Sequence, residues 1–141
     1  VREPKNRNDH PQINTYFRAV GYQTPEKLAW NQKAWCAAFV SWVYIQCGIK
    51  LPKSTSLAAV ATWNRMDANK VPAGKAVLPG DAVTYLQWSH IDLVRYWPLD
   101  PRIKYFYATG GNTTGGAKQH GVYTNIQRPK NFVRSTIRLI K

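Results

Sequence analysis

The longest apolar stretch of the chain, around residues 34–45, most restricts what the chain can fold into. It contains Ser41 and falls well short of the ~20 residues a membrane span needs. Helix signals frame it. Asn31 stands before it as an N-cap, and Phe39, Val40, Val43 and Cys47 follow Cys36 at helical spacing. Gly48 stands where a C′ glycine ends a helix, and Pro52 blocks a restart. The spacing therefore predicts a strongly apolar helix with Cys36 in its first turns.

The rest of the chain reads as helices first and strands second. Asp9 and Pro11 open a short helix through Ile13, Tyr16, Phe17 and Val20, closed by Gly21. Thr24-Pro25-Glu26 starts a helical turn leading to Trp30, and Ser54 or Ser56 caps a third helix carrying Leu57, Val60, Ala61 and Trp63. Leu78-Pro79-Gly80-Asp81 is a turn signal, after which strands are expected at 82–86, 89–96, 105–109, 122–126 and 136–140. Connections this short favour antiparallel pairing. The expectation is one α+β domain over residues 1–141, with N-terminal helices packed on a small twisted antiparallel sheet of about five strands.

With 141 residues, 44% hydrophobic, the chain has enough apolar mass for one real core. It begins at Val1 with no signal-like segment, so it reads as a processed or trimmed chain. The net charge of +13 is concentrated toward the C-terminus: residues 101–141 hold eight basic side chains and no acidic one. Such a surface favours polyanions such as nucleic acid, anionic lipid or an anionic cell-wall polymer, or else simply keeps the protein soluble. No helix-turn-helix spacing, zinc-finger ligand set or aromatic-basic strand signature accompanies the charge, which disfavours nucleic acid.

Three segments carry candidate chemistry. The first is Cys36. A thiolate is the nucleophilic form of cysteine, and the unpaired N–H groups and dipole of a helix N-terminus favour it and can hold an oxyanion. The competing reading makes Cys36 one more residue of the buried stripe. Cys47, eleven residues on, lies about 16 Å further along a continuous helix, too far for a disulfide, and is expected to be structural.

The second is His90, whose strand alternation puts His90, Asp92 and Val94 on one face and Ile91 and Leu93 on the other. A histidine there can take the thiol proton and later protonate a leaving amine. His10 and His120 lie before a helix and in a Gly-rich loop, and no zinc-type spacing exists, so neither metal nor other cofactor is expected. The third segment, residues 107–116, reads as a strand ending in a glycine turn with Asn112 at its bend. An Asn side chain there can orient an imidazole, as in Cys-His-Asn triads.

In this order, Trp35-Cys36-Ala37-Ala38-Phe39-Val40, Pro79-Gly80-Asp81, Ser89-His90 and Gly110-Gly111-Asn112 resemble the CHAP and NlpC-type cysteine peptidase superfamily over roughly residues 10–140. CHAP stands for cysteine, histidine-dependent amidohydrolase/peptidase. The resemblance implies a papain-like fold and hydrolysis of amide bonds in peptidoglycan stem peptides. It implies Cys36 as nucleophile and His90 as acid and base. It also implies action outside the cytoplasm, in the bacterial periplasm or cell wall, as an antibacterial effector with a cognate immunity protein, a phage lysin or a wall-remodelling enzyme. Many CHAP members carry a glutamate two residues before the Asn, where this chain has Gly110. The third group is therefore Asn112, the preferred assignment, or Asp92, or absent. Two other functions stay open: a non-catalytic binder of nucleic acid or anionic wall polymer, and a Cys-His acyltransferase or deamidase.

Overall fold

The computed structural model describes residues 1–3, 8–54, 56–113 and 119–140. Among these residues there are three α-helices and a single antiparallel sheet. The first helix, α1 (Pro11–Ala19), buries Ile13, Tyr16 and Phe17. Pro11 opens it as expected, but the cap is His10, whose side chain accepts from the Gln12 N–H at 3.1 Å, rather than Asp9. Gly21, at φ 101°, follows its end in a conformation that suits glycine.

The central helix, α2 (Cys36–Gln46), starts abruptly. Trp35 takes the cap position without a side-chain cap bond. The expected cap, Asn31, instead lies in a separate 3₁₀ turn (Trp30–Gln32). Residues 36–41 are buried on every side, because α1 packs against one flank and the sheet against the other. The end of the helix emerges into solvent. There the Gly48 N–H bonds the Ile45 carbonyl and the Ile49 N–H the Tyr44 carbonyl, a Schellman closure made possible by Gly48 at φ 75°. Both cysteines are free. Cys47 is exposed beside this closure. The short helix α3 (Val60–Asn64) has Ala59, not Ser54 or Ser56, in its cap position. The Ser41 hydroxyl and the Trp63 indole both donate to the Leu57 carbonyl, tying α2 and α3 to the segment between them.

The strands are β1 (Arg2–Glu3), β2 (Ala82–Tyr85), β3 (Ile91–Tyr96), β4 (Tyr105–Thr113), β5 (His120–Pro129) and β6 (Val133–Ile137). Their order across the sheet is β1-β5-β4-β3-β2-β6. The sheet thus has six strands rather than five, the sixth being the short N-terminal pairing of Arg2 and Glu3 with Gly121 and His120. Ala82, Ile91, Leu93 and Ile137 face the helices. Val83, Tyr85, Val94, Phe106 and Ala108 form a second cluster, closed by Val77, Trp97, Phe132 and Val133. This division confirms the expected alternation of Ile91 and Leu93 against Val94.

Two strand boundaries differ in ways that matter. His90 precedes β3, at the end of the β2–β3 hairpin. Gly110-Gly111-Asn112 is not a glycine turn but a bulged continuation of β4, with register shifts on either side of Gly110 and Asn112 at φ 56°. Thr114, Gly115 and Gly116, also expected in that turn, lie outside the described residues. At the other edge, Asp81 in the Pro79-Gly80-Asp81 turn takes a two-pronged bond from Arg138 at 2.9 and 2.8 Å, and Tyr44 donates to the Gly80 carbonyl at 2.7 Å. That turn fastens the sheet to α2.

Candidate active site

Cys36 is the first residue of α2, and its side chain is nearly buried at 4% exposure. The first helical bond runs from the Phe39 N–H to the Trp35 carbonyl, which leaves the N–H groups of Cys36, Ala37 and Ala38 without a helical partner. No acidic side chain occupies that first turn. Cys36 lies close enough to His90 to act on its titration, both as a hydrogen-bonding partner and through charge.

His90 is 3% exposed, and its Nε2 meets Asp92 Oδ1 at 2.6 Å. With Nε2 committed, Nδ1 is the nitrogen left for the thiol. Burial on its own pulls the imidazole pKa down. The Asp92 carboxylate overcomes that, through charge and hydrogen bond, and with the contribution of Cys36 His90 rises to about 9. The imidazole is therefore cationic at neutral pH, with Nε2–H donating to Asp92.

Asp92 is fully buried and saturated with donors. Its Oδ2 accepts from the Tyr85 hydroxyl at 2.6 Å and from Arg128 Nε at 3.2 Å, while Oδ1 holds His90. Burial works against the carboxylate, but the His90 charge, Arg128 and the hydrogen bonds together hold its pKa below the ordinary value. Tyr85 moves the other way: burial first, then the Asp92 charge, pushes its pKa up, so it stays a donor. Arg128 also donates to the Thr113 hydroxyl at 3.1 Å and lies over the rings of Tyr85 and Trp88. Trp88 stacks on Tyr85 with centroids 4.5 Å apart and lies 6.1 Å from the His90 ring, forming the outer wall of the network.

The bulged part of β4 leaves room for this arrangement. A Cβ at Gly110 would fall 1.8 Å from Asp92 Oδ1, and one at Gly111 would fall 2.5 Å from the Trp35 ring. The Trp35 indole donates to the buried Glu3 carboxylate at 2.8 Å, which draws β1 into the support of the residue before the cysteine.

Of the sequence-predicted residues, Cys36, His90 and Asp92 come together. Asn112 lies on neighbouring β4, half-buried, and the partner of His90 Nε2 is Asp92 instead. Sequence reasoning missed Tyr85, Trp88 and Arg128. Tyr85 had a usable signal. Val83 pairs with Asp92 across the β2–β3 hairpin, so period two places Tyr85 on the Asp92 face once the register is known. Arg128 had none, since β5 reaches Asp92 only through the order of the sheet. Among the described residues, no three His, Cys, Asp or Glu side chains group to hold a metal ion, and no helix is long and apolar enough to cross a membrane. No protein-family model, curated protein or solved structure significantly matches the chain.

Proposed function

We propose that the chain is a cysteine amidohydrolase or endopeptidase of the CHAP and NlpC type, papain-like in arrangement, that cleaves amide bonds of peptidoglycan stem peptides outside the cytoplasm. The observation that carries this reading is His90, held between the Cys36 thiol on one side and the buried, fully bonded Asp92 on the other. The substrate class rests on the motif order of the sequence and on a basic surface suited to a wall rich in carboxylates and phosphates.

In this reading the cationic imidazole of His90 stands beside the Cys36 sulfur. Sγ attacks the carbonyl carbon, and the displaced electron pair settles on the oxygen, facing the free N–H groups at the start of α2. As the tetrahedral adduct collapses, the C–N bond breaks and His90 passes its Nδ1 proton to the leaving amine. The imidazole, now neutral, takes a proton from water while the hydroxyl attacks the thioester. The C–S bond then breaks, the electron pair returns to Sγ, and Cys36 is released beside the imidazolium. Asp92 keeps the ring in place and stabilises its charge, with Tyr85 and Arg128 fixing the carboxylate in turn.

Iodoacetamide should abolish hydrolysis of purified muropeptides and EDTA should leave it intact. Activity that survives alkylation of Cys36 but is lost to EDTA would overturn the thiol mechanism.

A further inference from the structure

Beside the network, a polar hollow of about 300 Å³ opens between α3 and the β2–β3 hairpin. Tyr85, Trp88 and Ser89 form the wall nearest His90, Asn64 closes the α3 side, and Arg134 on the edge strand β6 borders the opening. Arg2, Arg18, Arg95, Arg102, Arg128 and Arg138 each spend their guanidinium on a partner within the fold. Arg65 and Arg134 have no such partner among the described residues, and of these two only Arg134 borders this hollow.

Among the described residues, no acidic one lines the hollow. The carboxylates are committed elsewhere: Glu3 to Trp35, Glu26 to Arg18, Asp67 to Lys70, Asp81 to Arg138, Asp92 to His90 and Asp100 to Arg102, while Asp9 acts on Lys33. On its other side Arg134 borders a second hollow with Lys70, Lys75 and Lys130, which reinforces the positive field. Within the first hollow, Asn64 Oδ1 is taken by the Thr84 hydroxyl, so its amide is left as a donor. The hollow thus offers a planar two-pronged cation and neutral donors, within one residue of His90 along the chain.

We propose that this hollow is a subsite for a free carboxylate on the peptide flanking the scissile amide, with Arg134 as its specificity-determining residue. The proposal rests on the hydrolase reading and adds a requirement to it: the substrate is an acidic peptide, recognised through a bidentate guanidinium–carboxylate pair.

The test compares a purified muropeptide whose stem carboxylates are free with the same muropeptide after their conversion to carboxamides. For the native protein, amidation should lower kcat/KM by about tenfold or more, mainly through KM, as expected for a charge-assisted bond. Arg134→Gln should lose about the same factor on the free acid and cleave both forms alike. Arg134→Lys should recover part of the preference. Arg65→Gln, which removes one charge at a distance, should keep the native ratio. Equal ratios for the native protein and Arg134→Gln, or an equal loss in Arg65→Gln, would overturn the subsite while leaving the hydrolase in place. If the native protein cleaves neither form, the hydrolase reading falls and the subsite with it.

Discussion

Asp92 is the residue on which the site turns. Three donors converge on one buried carboxylate, and each depends on its charge. Asp92→Asn keeps the volume and removes the charge, so burial again dominates His90 and its pKa drops. For the native protein kcat/KM should fall above a basic limb near pH 9, where the imidazolium that would protonate the leaving amine is lost. In Asp92→Asn that limb should move at least a unit lower and turnover at neutral pH should drop by about 10²-fold or more. Asn112→Ala should stay within a few-fold of native with its limb unmoved. A shifted limb in Asn112→Ala and an unshifted one in Asp92→Asn would return the orienting role to Asn112. Gly110 constrains the same carboxylate. A methyl there collides with Asp92 Oδ1, so Gly110→Ala should cost about 2 kcal/mol or more in denaturant unfolding and lower turnover as the carboxylate is displaced. A Gly110→Ala protein with native stability and rate would show that the close approach does not constrain the site.

The elements divide by how local their determinants are. The end of α2 was legible because Gly48 must supply a positive φ at one defined place. Its start was not, because the first turn is held by burial against α1 and the sheet rather than by a capping side chain, and Asn31 was left in its own 3₁₀ turn. The glycines of β4 were misread for the same reason. Paired glycines signal a turn locally, yet here they answer to two long-range contacts, Asp92 beside Gly110 and Trp35 beside Gly111. The short β1 was invisible in a two-residue sequence pattern and exists through its pairing with β5. The two cysteines of α2 make the contrast testable. Cys47 is exposed past the last turn, so Cys47→Ala should change stability by less than about 0.5 kcal/mol and leave catalysis intact. A larger loss, or an inactive folded variant, would mean that the C-terminal end of α2 takes part in the site.

At the scale of the molecule, the buried His90–Asp92 pair links stability to pH. The folded pKa of His90 lies above its ordinary 6.5, so its contribution is complete below 6.5 and is lost as pH rises through about 9. The folded pKa of Asp92 lies below its ordinary 3.8, so its contribution is present above 3.8 and fades as pH falls below that value. The difference in Tm between the native protein and His90→Gln should therefore shrink between pH 6.5 and 9.5. A difference that grows over that range would contradict the cationic assignment. The overall layout, helices first and an antiparallel sheet after the Pro79-Gly80-Asp81 turn, was readable from the chain, as was the nearness of Cys36 to His90 at the candidate site. Which carboxylate serves His90 was not, because it depends on which strand lies beside which.

The hydrolase reading requires that Cys36 break an amide bond with the help of His90. Its most direct test is mass spectrometry of purified peptidoglycan after incubation with the native protein, Cys36→Ala and His90→Ala, each first shown to be folded. The native protein should yield hydrolysed stem-peptide fragments whose two masses sum to the parent plus one water, with a nearly complete loss of them in both variants, since the two residues act as a unit. The same fragments from Cys36→Ala at the native rate would contradict it.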